Sequence, residues 1–393
     1  MIVGVPKELY PGERRVALAP AVVPTFVKAG CEVLIEAGAG VAAGFLDAAY
    51  ADKGAKIVPG RAELFQTAEL IVQVLCHGAN DKNGAADLAL LRPGQILVGF
   101  MRPLGSPETL NQIAATGALS FAVELMPRIT RSQSMDALSA MATVCGYKAI
   151  IIAADLLPRF FPMLTTAAGT ITPARVLVLG AGVAGLQAIA TARRLGAVVS
   201  GYDVRPAAKE QIKSVGGRVV ELPLEVKDAE DARGYAQAQD ESFYRRQREV
   251  LGRVVSESDV VISTAVVPGK RAPILITAAM VAAMAPGSVI VDLAAERGGN
   301  CELTHPNETA IEHGVTIVGA SNLASSVPYH ASQMYARNLA AYIPHLLKDG
   351  KLHLDPEDQI AGDTLVTRGG EIVHKLVRDA LASSAEPARK DNQ

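Results

Sequence analysis

Three glycines spaced as Gly180-x-Gly182-x-x-Gly185, with a carboxylate, Asp203, about 20 residues further on, are the residues of this chain best suited to hold a dinucleotide. Gly180 can make a tight turn, Gly182 lets the backbone approach a pyrophosphate, and Gly185 lets the following helix pack close to its strand. The pyrophosphate charge is then met by the unpaired N–H groups and the positive dipole end of that helix. Asp203 can accept hydrogen bonds from a ribose diol and repels an additional 2′-phosphate, which favours NAD over NADP. Arg205, two residues on, argues the other way, because an arginine in this turn can accommodate that phosphate. NAD stands ahead because the carboxylate holds the strand-end position itself.

A second polar group lies earlier, in the segment Glu124–Ser139. Arg128, Gln133, Asp136 and Ser139 can together hydrogen-bond an amide and a ribose, the groups a nicotinamide nucleoside presents. The plainer alternative is that Ser134 or Asp136 caps the helix that follows. The charged run Glu225–Arg248 is either a solvated loop leading into a surface helix or, around Gly234-Tyr235, a lid over bound nucleotide. His77 is expected to be an ordinary surface histidine, and His305, His313 and His330 have no metal-ligand spacing.

These residues need a βαβ frame, and the chain supplies one. Val176–Leu179 reads as a strand, 186–195 as a helix stopped by Gly196, and 197–202 as the strand that delivers Asp203. Further strands are expected upstream at 2–5, 32–35, 70–75, 96–100 and 118–124, and downstream at 218–221, 260–263, 288–292 and 315–319, separated by helical stretches. The fold class is therefore α/β: two Rossmann-like, doubly wound parallel-sheet domains joined by long helices, near 135–157 and 332–347, with a cleft between them. The expected division is a discontinuous first domain, 1–136 plus 327–383, an NAD-binding domain, 137–326, and a disordered tail, 384–393. The helical stretch 329–347 is expected to pack back on the first domain.

With 393 residues, 49% of them hydrophobic and only 20% charged, the chain can bury two cores. The 38 Lys and Arg are balanced by 40 Asp and Glu, which leaves no basic field for nucleic acid. Cys31, Cys76, Cys145 and Cys301 lack paired spacing, which fits a reducing compartment and argues against zinc or a disulfide frame. The N-terminus lacks a signal-peptide pattern. The apolar stretch 137–157 is broken by Gly146, Lys148 and Asp155 and is expected to be a buried helix, not a membrane span.

Three separated segments make the sequence more specific. Pro127–Asp136, Thr264–Lys270 and Val291–Cys301 together resemble the NAD-binding component of proton-translocating NAD(P) transhydrogenase, and the similarity runs from Pro6-Lys7-Glu8 to Val366–Gly370. The resemblance implies that Arg128, Ile129, Thr130, Arg131, Gln133, Asp136 and Ser139 belong to the loop that positions the nicotinamide. It implies that Val183, Asp203, Val204 and Arg205 line the adenosine half, and that Gly234, Tyr235, Gln247 and Val266 belong to the lid and its neighbours. It further implies a homodimer docked on the cytoplasmic face of a membrane-spanning subunit, beside a separate NADP-binding subunit. Hydride then passes directly between two nicotinamide rings, so the chain contributes orientation and not acid–base chemistry. Ending at Lys390–Gln393, the chain resembles the split form, a separate peripheral subunit. It departs from the family's lid pattern, which carries a Met soon after the Tyr, because Tyr235 is followed by Ala236-Gln237-Ala238-Gln239.

Alanine dehydrogenase is the nearest enzymatic alternative, similar at Pro6-Lys7-Glu8 and Glu13–Leu18. Arg15 could clamp a substrate carboxylate. The strand 72–77 has no lysine where that family carries one, however, Phe100–Pro103 lacks its histidine, and Glu296 stands near the expected aspartate. A non-enzymatic NAD sensor is the third reading. It would keep the glycine loop and Asp203 and would not need the Arg128–Asp136 group.

Overall fold

Val176 and Val178 face one side of their strand and Leu177 and Leu179 the other, and all four are buried, because helices cover both faces of the sheet to which they belong. Strands of this kind build two sheets in the computed structural model, which describes residues 1–221, 241–267 and 269–385. The chain divides into two compact units. One comprises Met1–Met141 together with the chain from Ser325, and the other comprises Ala142–Ala324.

In the first unit the strands lie in the order Glu371–Ile372, Leu365–Arg368, Leu119–Ala122, Ile96–Phe100, Leu70–Leu75, Ile2–Val5, Glu32–Glu36, Lys56–Val58. The six from Leu119–Ala122 onward are parallel, and Leu365–Arg368 and Glu371–Ile372 continue the sheet antiparallel. The chain order reverses between Ile2–Val5 and Leu70–Leu75, the switch point of a doubly wound sheet. The helix Pro328–His345 belongs to this unit, where Tyr335 Oη donates to the Gln73 carbonyl (2.8 Å) and Ser332 Oγ accepts from the Val16 N–H (3.0 Å).

The second unit orders its strands Arg218–Val219, Val198–Tyr202, Arg175–Leu179, Val260–Ser263, Val289–Asp292, Val315–Gly319, Thr309–Glu312, all parallel except the last. Its switch point lies between Arg175–Leu179 and Val260–Ser263, so the glycine loop sits where a doubly wound sheet binds ligands. Both sheets are Rossmann-like, as expected, and each gains antiparallel edge strands. Two of these edges are made by tight turns with positive φ at both central residues, His313-Gly314 and Gly369-Gly370.

The apolar helix runs Ala137–Leu156 and is long and apolar enough to cross a membrane by length and composition. It is less buried than a core helix: 39% of its most apolar window is covered, and Leu138, Tyr147 and Leu156 are exposed. Its buried side, Ala149, Ile150 and Ala153, packs with Val176, Val178, Ala188 and Ile189. Gly146 allows this approach, since a Cβ there would meet the Ala184 carbonyl oxygen at 2.0 Å. An exposed hairpin, Leu164–Thr166 with Gly169–Ile171, follows. All four cysteines are free thiols. The C-terminal helix Lys375–Ala385 carries the chain past the expected start of the tail, and the remainder of 384–393 lies outside the described residues.

Candidate dinucleotide site

Each motif glycine meets a different steric demand. Gly180 has φ +95°, and a Cβ on it would come within 2.6 Å of Thr264 Oγ1. A Cβ on Gly185 would lie 1.8 Å from the Gly180 carbonyl oxygen, so the helix could not pack on its strand with any larger residue. Gly182 is the opposite case, with no atom of the described residues within 4 Å of its Cβ position. It immediately precedes the helix Val183–Arg194, and no side chain among the described residues caps that helix. A helix N-terminus without a side-chain cap, beside a glycine whose Cβ position is open among the described residues, is a fit for a pyrophosphate. Val183, the first helical residue, is exposed beside it.

Asp203 follows the strand Val198–Tyr202, as the sequence requires, and its carboxylate is held by four donors. Oδ1 accepts from the Arg205 N–H (2.9 Å) and Nε (3.0 Å), and Oδ2 from the Ala181 N–H (2.7 Å) and Arg205 Nη2 (3.0 Å). The carboxylate therefore ties the glycine loop to its own strand end, and Arg205 is its counter-ion. Both side chains are largely buried, at 7% and 15% exposed. Val204 packs partly against the core beside Tyr202. Gln247 is fully buried on the helix Glu241–Ser256, with Nε2 donating to Tyr202 Oη at 2.7 Å and Oε1 without a partner among the described residues. Gly234 and Tyr235 lie outside the described residues, as does most of the segment proposed as a lid. Val266 is half-buried in the loop after Val260–Ser263.

The Arg128–Ser139 group belongs to the first unit. Thr130–Met135 is a 3-10 turn, in which Ser132 is buried and donates to the carbonyls of Pro127 and Ile129. Asp136 accepts from the Ser139 N–H (2.9 Å) and Ser139 Oγ (2.6 Å) at the start of the long helix, so the capping alternative is the one these two residues display. Arg131 is paired with Asp358 (2.7 Å), which also bonds His345 Nε2. Arg128, Thr130 and Gln133 are exposed, and Ile129 is half-buried.

Positions that matter to the amino-acid dehydrogenase alternative are occupied by internal contacts. Gln73 is buried and donates to Asp87 Oδ2 (2.9 Å), while Arg61 bonds both oxygens of Asp87 at 2.6 Å. Arg15 makes a two-point pair with the fully buried carboxylate of Glu13. Met101 is completely buried, and Glu296 accepts from the Asn322 N–H at 3.0 Å. His77 is half-buried, with Nε2 facing Gln112 Oε1 at 2.7 Å and Nδ1 without a partner among the described residues. Among the described residues no group of His, Cys, Asp or Glu is arranged to hold a metal.

Two buried carboxylates carry no signal in the sequence. Glu8 accepts from the N–H groups of Val74 (2.6 Å) and Leu75 (3.2 Å) at the end of one strand, and Glu124 from those of Met101 (2.8 Å) and Arg102 (2.7 Å) after the next. Burial pushes Glu8 up to about 8, reinforced by the Glu13 charge, and pushes Glu124 up to about 7. Nor does spacing alone single out Thr264, whose Oγ1 donates to the Gly180 carbonyl at 3.0 Å.

Two adjoining domain families cover the chain: alanine dehydrogenase/PNT, N-terminal domain, over residues 4–145, and alanine dehydrogenase/PNT, C-terminal domain, over residues 149–375. The first part of the NAD(P) transhydrogenase subunit alpha of Rhodospirillum rubrum is 45% identical, covering 95% of this chain and 98% of its own. Alanine dehydrogenase of Bacillus subtilis is 27% identical, covering 99% of this chain and 97% of its own. The crystal structure of transhydrogenase from Sinorhizobium meliloti superposes with a TM-score of 0.82 at 39% identity, over 95% of this chain and 99% of that one.

Proposed function

The chain belongs to the alanine dehydrogenase/PNT family, and from that premise we propose that it is the NAD(H)-binding peripheral subunit of a proton-translocating transhydrogenase. The observation that carries this reading is the open space at Gly182, beside an uncapped helix N-terminus and next to a strand that ends in Asp203. Its full-length likeness to a transhydrogenase alpha subunit, at 45% identity against 27% for an alanine dehydrogenase, sets it on the transhydrogenase side of the family.

In this reading Gly180, Gly182 and Gly185 hold the pyrophosphate and Asp203, with Val183, Val204 and Arg205 around it, holds the adenosine half. Gly234, Tyr235, Gln247 and Val266 belong to the lid and its surroundings. Arg128, Ile129, Thr130, Arg131, Gln133, Asp136 and Ser139 orient the nicotinamide. NAD(H) itself supplies the hydride chemistry, exchanging hydride with NADP(H) held by a partner subunit. The chain's own contribution is to bind, to orient and to exclude water. Proton movement belongs to a membrane-spanning partner on whose cytoplasmic face this subunit sits.

A second copy of the chain is part of the reading. Phe160, Met163 and Ile171, at 55, 61 and 43% exposed, make the hairpin region an apolar surface in the same unit as exposed Tyr147 and Leu156.

Alanine dehydrogenase remains the alternative, and the internal bonds of Gln73 and the buried Met101 weigh against it because they leave its proton-handling residues unreplaced. The deciding experiment is a fluorescence titration of the purified chain with NADH, followed by pyruvate and ammonia while the nicotinamide absorbance is watched. Saturable binding without NADH consumption is expected. Consumption identifies an amino-acid dehydrogenase, and absence of binding removes the dinucleotide reading.

A further inference from the structure

The loop that follows Val260–Ser263 is fixed on two sides. Thr264 Oγ1 bonds the Gly180 carbonyl on one side. On the other, the Asn300 side chain bonds both polar groups of the next residue, its Oδ1 accepting from the Ala265 N–H (3.0 Å) and its Nδ2 donating to the Ala265 carbonyl (2.9 Å) and to the Pro273 carbonyl (2.8 Å). Asn300 is completely buried, and these three bonds use its acceptor and both its donor hydrogens.

Asn300 is in turn held by Asp292, the last residue of the strand Val289–Asp292. Asp292 Oδ2 accepts from the N–H groups of Asn300 (2.7 Å) and Cys301 (3.0 Å) and from Thr304 Oγ1 (2.9 Å), and Oδ1 from the Ala294 N–H (2.9 Å). The chain can turn back to reach this carboxylate because Gly298 and Gly299 have φ +95° and +77°. A Cβ on Gly299 would crowd Asp292 Oδ2 at 2.9 Å. A continuous polar chain thus runs from Asp292 through Asn300 and Ala265–Thr264 to Gly180. Each link is backbone-directed, so it sets where main-chain atoms lie and not merely how tightly side chains pack.

We infer that Asp292 and Asn300 are positioning residues of the dinucleotide site: they set the Thr264–Val266 loop against the glycine loop and so fix the backbone on which the pyrophosphate is received. The inference rests on the reading of the glycine loop as a nucleotide site. Neither residue is placed among those that touch the nucleotide.

The test is NADH affinity by fluorescence in full-length Asn300→Ala, Asn300→Asp and Thr264→Val, with folding followed by circular dichroism and thermal unfolding. Asn300→Ala is expected to bind NADH about tenfold more weakly while folded, and Asn300→Asp, which keeps the acceptor but sets a buried carboxylate oxygen against the Ala265 and Pro273 carbonyls, is expected to bind at least as weakly. In the double variant Asn300→Ala/Thr264→Val the losses should not add, since both residues act on one loop. A purely structural role would lower the melting temperature and leave the affinity of the folded protein within about twofold of wild type; that result overturns the inference. If Asn300→Ala does not fold, Thr264→Val decides alone, because it preserves shape and removes only the bond to Gly180. Weakened binding then supports the inference, and unchanged binding overturns it. Wild-type protein that binds no NADH would instead overturn the nucleotide reading.

Discussion

Arg205 grips Asp203 at two points, Nε to Oδ1 and Nη2 to Oδ2, each at 3.0 Å, while the same carboxylate receives the Ala181 N–H from the glycine loop. The two residues whose charges argue for opposite cofactors are thus one structural unit. The carboxylate neutralises the arginine that would otherwise favour a 2′-phosphate. Asp203→Ala is expected to weaken NADH binding by about 1–3 kcal/mol through loss of charge-assisted bonds, and to improve NADPH binding relative to NADH by releasing Arg205. Parallel titrations with both reduced nucleotides check this, and an unchanged ratio of the two dissociation constants would contradict it.

Gly182 and Gly185 should respond differently to the same added methyl group. Gly182→Ala has open space and an ordinary negative φ, so folding stability should move by only about 0.5 kcal/mol while NADH affinity falls. Gly185→Ala meets the Gly180 carbonyl at 1.8 Å and should destabilise the unit by roughly 1–3 kcal/mol or more. Thermal unfolding paired with NADH titration separates the two, and equal effects on stability would remove the assignment of Gly182 to the ligand.

Gln133 is exposed in the 3-10 turn, so its replacement leaves the core untouched. Gln133→Asn is expected to leave NADH affinity within about twofold and to slow hydride transfer about tenfold or more, because a shortened side chain misplaces the ring without removing a large share of binding. Stopped-flow transfer with the partner subunits is the measurement. Unchanged turnover would contradict the positioning role.

Glu8 and Glu124 give the first unit a definite pH response. Both carboxyls are raised by burial, to about 8 and about 7, so the folded state holds protons that the unfolded chain releases near pH 4.5. Their contribution is fully present below the unfolded value and is lost progressively as pH rises from about 4.5 through about 7 and 8, so the melting temperature should fall between about pH 5 and pH 8 and level off above that. Glu124→Gln keeps Oε1 for Met101 and Arg102 and replaces the Oε2 that has no partner among the described residues, so part of this loss should disappear. A variant with the same pH dependence as wild type would show that Glu124 does not titrate in this range.

The hairpin region offers the test of self-association. Replacing Phe160 and Met163 together by Ser should shift sedimentation toward the monomer at micromolar concentration while leaving the buried core intact, since both side chains are exposed. No change in sedimentation would move the proposed interface elsewhere.

Much of this is legible in the residues themselves. Long Val/Ile/Leu runs bounded by glycines announce buried parallel strands, and Gly180-x-Gly182-x-x-Gly185 with Asp203 announces the strand–turn–helix–strand frame, because these depend on local period and backbone freedom. The edge hairpins at His313-Gly314 and Gly369-Gly370 are also legible in principle, as turn pairs that adopt positive φ, but their strands are too short and polar to stand out. Tertiary structure alone decided the partners of the charges. Arg131 pairs with Asp358 across 227 residues, and Asn300 reaches back 35 residues to Ala265. A side chain's type states which bonds it can make. Which bonds it does make depends on what folding brings within about 3 Å of it, and no local spacing encodes that.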